Sequence, residues 1–389
     1  MRMTSLEHYK SVYENELFNH VIPFWERHSV DRRNGGFWNC LDRDGGKYDS
    51  KKYMWLNGRQ TWMFSKLYNT VDKRPEWLEI ARLGADFLRN HAIRDDGRVY
   101  FSMTETGEPV HMQRKIFSEC FWIMAMAEYS RASGDASAMR EAKELLEKVW
   151  EWSRDLTKVG RPVYAGDTPS QSLAIPMILL NLIEEVAGDD RETYLPEAEE
   201  CIARMLLHVH EHEKTVYETV APDGSFIDSI EGRLLNPGHA IEAGWFLQHW
   251  AQYLERDDLS RTAVNMVRWS YDRGWDKEKG GIYYFLDSKG YSPTQLEWNM
   301  KLWWPHCEAL YAHLFNYSLT GNEQDRAAFE QVHEYTFSHF PDHEYGEWYG
   351  YLDRDGHPTH RFKGGPYKGC FHVPRALLLC FLFWQKMSS

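Results

Sequence analysis

Apolar and polar positions along this chain follow two periods that alternate with each other. Four short stretches alternate residue by residue: Gly35-Gly-Phe-Trp-Asn-Cys-Leu-Asp-Arg-Asp-Gly45, Gly97-Arg-Val-Tyr-Phe-Ser-Met-Thr104, Gly280-Gly-Ile-Tyr-Tyr-Phe-Leu-Asp287 and Gly346-Glu-Trp-Tyr-Gly-Tyr-Leu-Asp-Arg-Asp-Gly356. Each reads as glycine, then alternating aromatics, then a polar turn, the signal of a short β-hairpin. Weaker copies lie at Gly160–Tyr164 and Val216–Val220. The copies recur every roughly 56–66 residues, which marks an internal repeat.

Between copies the apolar positions take the helical period, and two helices fit each gap. Phe117–Tyr129 is apolar nearly all round, whereas Met139–Trp152 carries one stripe of Leu145, Leu146, Val149 and Trp150. An all-round apolar helix is buried and a one-stripe helix is peripheral. The same inner–outer order is predicted for Trp55–Tyr68 with Trp77–Asn90, Ile175–Val186 with Glu197–His210, His239–Leu254 with Leu259–Arg273, and Pro305–Leu319 with Arg326–His339. One helix is left at each end, amphipathic Glu7–His28 and apolar Gly369–Trp384, and these supply a sixth pair. An open solenoid wants polar caps at both ends. A closed (α/α)6 barrel therefore fits better: an all-α fold, with short aromatic β-hairpins linking helix pairs at one mouth. No linker or low-complexity tract divides residues 1–389, which read as a single domain.

Composition then removes whole classes of partner. The formal charge is −13, so nothing favours nucleic acid or an anionic membrane. No apolar run reaches the ~20 residues of a spanning helix, and the first residues lack a signal core. Six scattered cysteines without a CxxC read as reduced thiols in the cytoplasm.

Candidate chemistry gathers where the inner helices begin, because each follows a hairpin and so opens at the same mouth. The polar residues there are Arg59, Glu119, His239, Glu242, His306, Glu308 and His372. Taken singly, a helix-start glutamate is a dipole partner and a histidine is a satisfied core residue. Recurrence at matching positions points to a shared site. His239 lies in Asn236-Pro-Gly-His239 and His372 in Gly369-Cys-Phe-His372-Val-Pro374. Histidine changes charge near neutral pH, and two of them on opposite sides of a carbon take a proton from one face and return it to the other, as an epimerase requires. The helix N-termini would hold both neutral. Arg59, among aromatics, either pairs with Glu119 or Glu308 or binds a carbonyl oxygen. Trp55 and Trp304, with hairpin aromatics Trp38, Tyr283, Tyr284, Trp348 and Tyr349, suit the apolar faces of a sugar. His208-Val-His-Glu-His212 reads as a frayed helix end with no recognised zinc spacing, so no metal is expected. Lys363-Gly-Gly365 reads as a glycine turn; no phosphate loop is present.

Seven stretches, in order along nearly the whole chain, resemble the N-acylglucosamine 2-epimerase family: YMWLNGRQTW at 53–62, IFSECFWIMAMA at 116–127, AIPMILLNL at 174–182, NPGHAIEAGWF at 236–246, TQLEWNMKLWWPHCE at 294–308, EYGEWYGYL at 344–352 and KGGPYKGCFHVPRA at 363–376. The resemblance implies an (α/α)6 barrel and reversible interconversion of N-acetylglucosamine and N-acetylmannosamine. It places catalytic roles on His239 and His372 and supporting roles on Arg59 and Glu308; Glu119, Glu242, His306, Trp304 and Trp55, at or near the same helix starts, are the expected substrate contacts. It also implies a homodimer with no required cofactor, and ATP as an activator that is not consumed. The region that would meet ATP, 155–168, carries no phosphate-loop pattern. Cys380 matches a cysteine implicated in some members, but its apolar helix also makes it a packing residue. Rival readings are a cellobiose or mannose 2-epimerase, an aldose–ketose isomerase, a glycosidase using Glu119, Glu242 and Glu308, and a non-catalytic protease-binding protein.

Overall fold

The apolar-all-round segments form an inner ring and the striped ones surround it. A computed structural model describes residues 3–388. Its helices are α1 (Met3–Asn15), α2 (Ile22–His28), α3 (Met54–Thr70), α4 (Pro75–Phe87), α5 (Phe117–Ser133), α6 (Ala136–Arg154), α7 (Ala174–Ala187), α8 (Leu195–Leu206), the single turn α9 (Ile230–Arg233), α10 (Pro237–Tyr253), α11 (Asp257–Gly274), α12 (Trp303–Thr320), α13 (Glu323–His339) and α14 (His372–Ser388). Neighbours α3, α5, α7, α10, α12 and α14 pack in that order, each backed by an outer helix, and α1 backs α14. Tyr9 of α1 stacks on Trp384 of α14 at 5.4 Å. The ring closes where Phe371, just before α14, meets Trp62 of α3 at 5.4 Å. This is the (α/α)6 arrangement, with one apolar core running through both layers.

The first helix departs from the expected single segment 7–28. A π-helical turn, Glu16–Val21, separates α1 from α2, and Pro23 opens α2. Proline offers no N–H to the carbonyl four residues back, and a π-turn takes up the mismatch. In this turn the His20 carbonyl accepts the Glu347 N–H, and the buried Glu16 accepts the Trp348 indole N–H at 2.8 Å.

The aromatic stretches do not all pair as local hairpins. At or just before four inner helices, a two-residue strand pairs with a strand of the next repeat: Lys52–Tyr53 with Ser102–Met103, Gln171–Ser172 with Thr219–Val220, Leu234–Leu235 with Leu286–Asp287, and Lys301–Leu302 with Tyr351–Leu352. Within a copy, contact often shrinks to one bridge, such as Val30 with Phe37 or Trp275 with Ile282. The weak copy at 160–164 forms no strand. Pro162 lacks a ladder donor, and residues 160–170 are exposed.

Three copies carry a clamp on the turn that ends the outer helix. Asp31, Asp276 and Asp342 each accept, through the main-chain carbonyl, the N–H of the glycine four residues on. Their carboxylates meet the buried ammonium groups of Lys52, Lys301 and Lys363 at 2.7, 3.0 and 3.0 Å. Each lysine also donates to a turn glycine carbonyl. Burial pulls Lys301 and Lys363 down to about 8 despite the aspartates. Lys52 and Lys301 lie in the strands that lead directly into α3 and α12, so the clamp fixes where those helices start. Lys363 is thus a structural ion-pair partner of a glycine turn. Asp31→Ala leaves the Lys52 charge buried and unpaired, and urea unfolding should show a loss of about 3–5 kcal/mol. Asp31→Ala/Lys52→Met should regain much of it; a double variant no better than the single would refute the clamp.

Candidate active site

Asn236 caps α10, its Oδ1 accepting the His239 N–H at 3.2 Å, and Pro237 occupies the first turn, a favoured pairing of cap and proline. His239 is thereby held in the first turn with its side chain about 30% exposed. Its Nδ1 lies 3.0 Å from Glu218 Oε2. Burial alone would lower its pKa, but Glu218, with Glu242 and Glu308 behind it, outweighs this and raises it above the ordinary histidine value.

His372 is the first residue of α14. Its Nδ1 lies 2.7 Å from Glu308 Oε1. Burial first, then the charges of Arg59 and Arg375, hold its pKa well below the ordinary value. The helix N-termini therefore do not leave the two histidines alike, as the sequence suggested: carboxylates and guanidiniums set them apart. Both rings rest on Trp304, with centroids 5.2 Å from His239 and 5.8 Å from His372, so the imidazoles lie within the sum of those distances of each other.

Arg375, one turn beyond His372, connects the carboxylates. Its Nη2 donates to Glu242 Oε1 at 2.6 Å and to Glu308 Oε1 at 2.7 Å, and Trp245 Nε1 donates to Glu308 Oε2 at 2.9 Å. Glu242, Glu308 and His372 place ligand-type atoms within 4.8 Å of one another. The Arg375 guanidinium already sits on both carboxylates, so these residues read as an ion-pair network and do not fit a metal centre.

Arg59 stands apart from this network. Its guanidinium lies over Trp55 at 4.4 Å, Phe121 at 4.1 Å and Phe371 at 4.7 Å. Among the described residues it makes no side-chain hydrogen bond, and its buried Nε has no partner. Burial brings its pKa down to about 9, against the pull of Glu242. Of the two alternatives, a pairing with Glu119 or Glu308 is absent, since those carboxylates bond Arg98 and Arg375. Trp55, one turn before Arg59, is half-buried and donates to the Pro366 carbonyl at 3.0 Å.

Two sequence candidates turn away from this group. Glu119 takes Arg98 Nε at 2.6 Å and the Val99 N–H at 3.0 Å, tying α5 to the strand of its own repeat. His306 is fully buried, with Nδ1 on the Leu302 carbonyl at 2.6 Å and Nε2 accepting the Ile282 N–H at 2.9 Å; burial pushes it down to about 3. Both ring nitrogens are used, so neither can meet a substrate. Helical phase explains the error: residues two apart on a 3.6-residue helix face different ways, so Glu308 and His306 cannot share the mouth. The same rule makes Arg375 recoverable, since it lies three residues from His372 on the same face. Glu218 was hidden in a weak strand copy.

Other candidates are committed elsewhere. Trp348 is buried, Lys47 and Lys52 lie over Trp38, and Lys301 and Lys363 lie over Tyr283 and Tyr349. Of the hairpin aromatics singled out, Tyr284 comes within 6.1 Å of Trp304. α8 ends at Leu206, and 209–210 is a strand, not a frayed helix end. His208 and His210 there bond main-chain carbonyls. Cys380 is buried on α14.

Comparison with known proteins places this arrangement. The profile of the N-acylglucosamine 2-epimerase family matches residues 36–376. The N-acylglucosamine 2-epimerase of Bos taurus is 46% identical over 97% of this chain and 91% of its own. That of Homo sapiens is 42% identical over 97% and 90%. The solved cellobiose 2-epimerase of Spirochaeta thermophila superposes with a TM-score of 0.84 at 23% identity over 99% of both chains, a likeness of fold.

Proposed function

The chain belongs to the N-acylglucosamine 2-epimerase family, and from that premise we propose that it interconverts N-acetylglucosamine and N-acetylmannosamine at carbon 2. One observation carries the chemistry. Two histidines, each seated on a carboxylate, share Trp304 beside an arginine with no hydrogen-bond partner among the described residues.

In the open-chain sugar the hydrogen on carbon 2 is alpha to the aldehyde. Neutral His372 removes it from one face, and the electron pair moves to the aldehyde oxygen. Arg59 offers its free N–H groups to that enolate oxygen, in a dry aromatic setting where such a bond is strong. Protonated His239 then gives its proton to carbon 2 from the other face, and the aldehyde re-forms inverted. The reverse reaction exchanges the roles of the histidines. Glu308, Glu242 and Arg375 hold His372 in place, and Trp304 and Trp55 offer the sugar apolar faces. The reaction balances without a cofactor. ATP then enters as an activator that is not consumed, and the working protein is a cytoplasmic homodimer.

N-acetylmannosamine incubated with the protein in deuterated water should give N-acetylglucosamine deuterated at carbon 2, read by proton NMR. No exchange on N-acetylmannosamine overturns the reading; mannose in the same solvent then separates an aldose–ketose isomerase, which labels carbon 1 of a ketose product, from a binding protein, which labels neither sugar. One feature favours a second reading, a reducing disaccharide as substrate: Tyr367 is 60% exposed beside Trp55, as a sugar-stacking shelf would be. A higher kcat/KM for cellobiose than for N-acetylmannosamine would select it.

A further inference from the structure

Resting on that reading of the histidines, we infer that Glu218 is a positioning residue of the reaction: its carboxylate fixes the tautomer and the charge of His239. It sits in the weak aromatic copy Val216–Val220, ahead of α10 in the same repeat, and reaches His239 from 21 residues earlier in the chain. Glu218 lies next to the strand Thr219–Val220, which pairs with Gln171–Ser172 ahead of α7. Its own carbonyl accepts the Leu173 N–H at 2.9 Å, so the main chain on which the carboxylate hangs is pinned. The carboxylate is divided between two partners. Oε1 accepts from Ser172 Oγ at 3.2 Å, and Oε2 faces His239 Nδ1 at 3.0 Å.

Two consequences follow from this geometry. An ionised carboxylate only accepts, so Nδ1 of His239 must carry a hydrogen and donate it. Nε2 is then the nitrogen that exchanges a proton with substrate. A second histidine is seated the same way, His372 on Glu308, but Glu308 shares its charge with Arg375. Among the described residues no arginine or lysine pairs with Glu218, so its charge acts on His239 undivided. The groups that face His239 are Glu218 from the strand, Glu242 on its own helix, Glu308 on α12 and His372 on α14. Of these, Glu218 alone bonds to its ring.

Glu218→Gln keeps the shape and an acceptor and removes the charge. The pH profile of kcat/KM should be measured in both directions. The His239 limb is the basic one where His239 is the acid and the acidic one where it is the base. In both, losing Glu218 lowers the His239 pKa, so both limbs should move to lower pH by about one unit. At pH 7.5, kcat in the direction that needs protonated His239 should fall by up to about tenfold, with the melting temperature near wild type. Limbs that stay in place in a folded, active variant overturn the role. A wild type that does not epimerise overturns instead the reading on which it rests. If the variant does not fold, histidine 15N NMR of the wild type decides, with His239→Asn assigning the resonance. Titration above the ordinary histidine value with a hydrogen on Nδ1 supports the role; titration at or below it, or a bare Nδ1, refutes it.

Discussion

In the His372→Asn protein, epimerisation is expected to fall about 10³-fold, while the melting temperature stays within a few degrees of wild type. Asparagine suits the test because its amide can still donate to Glu308 from near the Nδ1 position, 2.7 Å away in the native protein. That spares Glu308 and Arg375 from becoming a buried pair with a lost partner. His239→Asn should behave alike, because Glu218 can accept from the new amide. The sharper readout is exchange without inversion. Each variant retains one base, and that base can still lift and return the carbon 2 hydrogen on its own face. Each should therefore wash deuterium into one epimer only, and the two variants should label opposite epimers. If one variant labels both and the other neither, a single histidine serves both faces and the two-base chemistry fails.

Arg59 gives the second large effect, with opposite signs for activity and stability. Its charge is buried against Phe121, Trp55 and Phe371 without a carboxylate bonded to it. Such a group costs folding energy that cation–π contacts only partly offset. Arg59→Met should thus raise the stability by roughly 1–2 kcal/mol in urea melts and lower kcat by about 10²–10³-fold. Arg59→Lys keeps a charge but loses the planar fork, and should recover little of the rate. A destabilised Arg59→Met protein with near-normal kcat would make the arginine a structural element.

The architecture was legible because its signal is repetitive. One period of aromatic strands and one of paired helices, read many times over, determine the ring and its closure by α1 and α14. The strand partners were not legible. A two-residue strand carries too little pattern to choose its mate, and the choice is made by the ring, which brings Lys52–Tyr53 to Ser102–Met103 in the next repeat. In the site, position near a helix start told which end of the barrel a residue occupies, but not which side of its helix. His306 and Glu119 were for that reason grouped with Glu308 and Glu242, although the structure turns them into the wall. Arg375 was overlooked although it shares the His372 face. Glu218 had no signal beyond an acid beside a two-residue strand, since its importance comes from a contact with His239, 21 residues further along the chain.

The unlike surroundings of the two histidines have a consequence for the rhythm of catalysis. On the proposed chemistry, each conversion takes a hydrogen onto one ring and spends one from the other. The protein that releases product is then a protonic isomer of the one that bound substrate. It must be reset through water before it can convert a second molecule of the same epimer. With His239 favouring its proton and His372 refusing one, the empty protein waits in the form that one epimer needs. The other epimer meets a minority species. The protein thus resembles a carrier that has to return unloaded, and at high substrate the return journey becomes a part of every turnover. A rapid flow of one epimer would then drag a trace of labelled sugar away from its equilibrium ratio, a counterflow that an enzyme with two equivalent histidines would show only symmetrically.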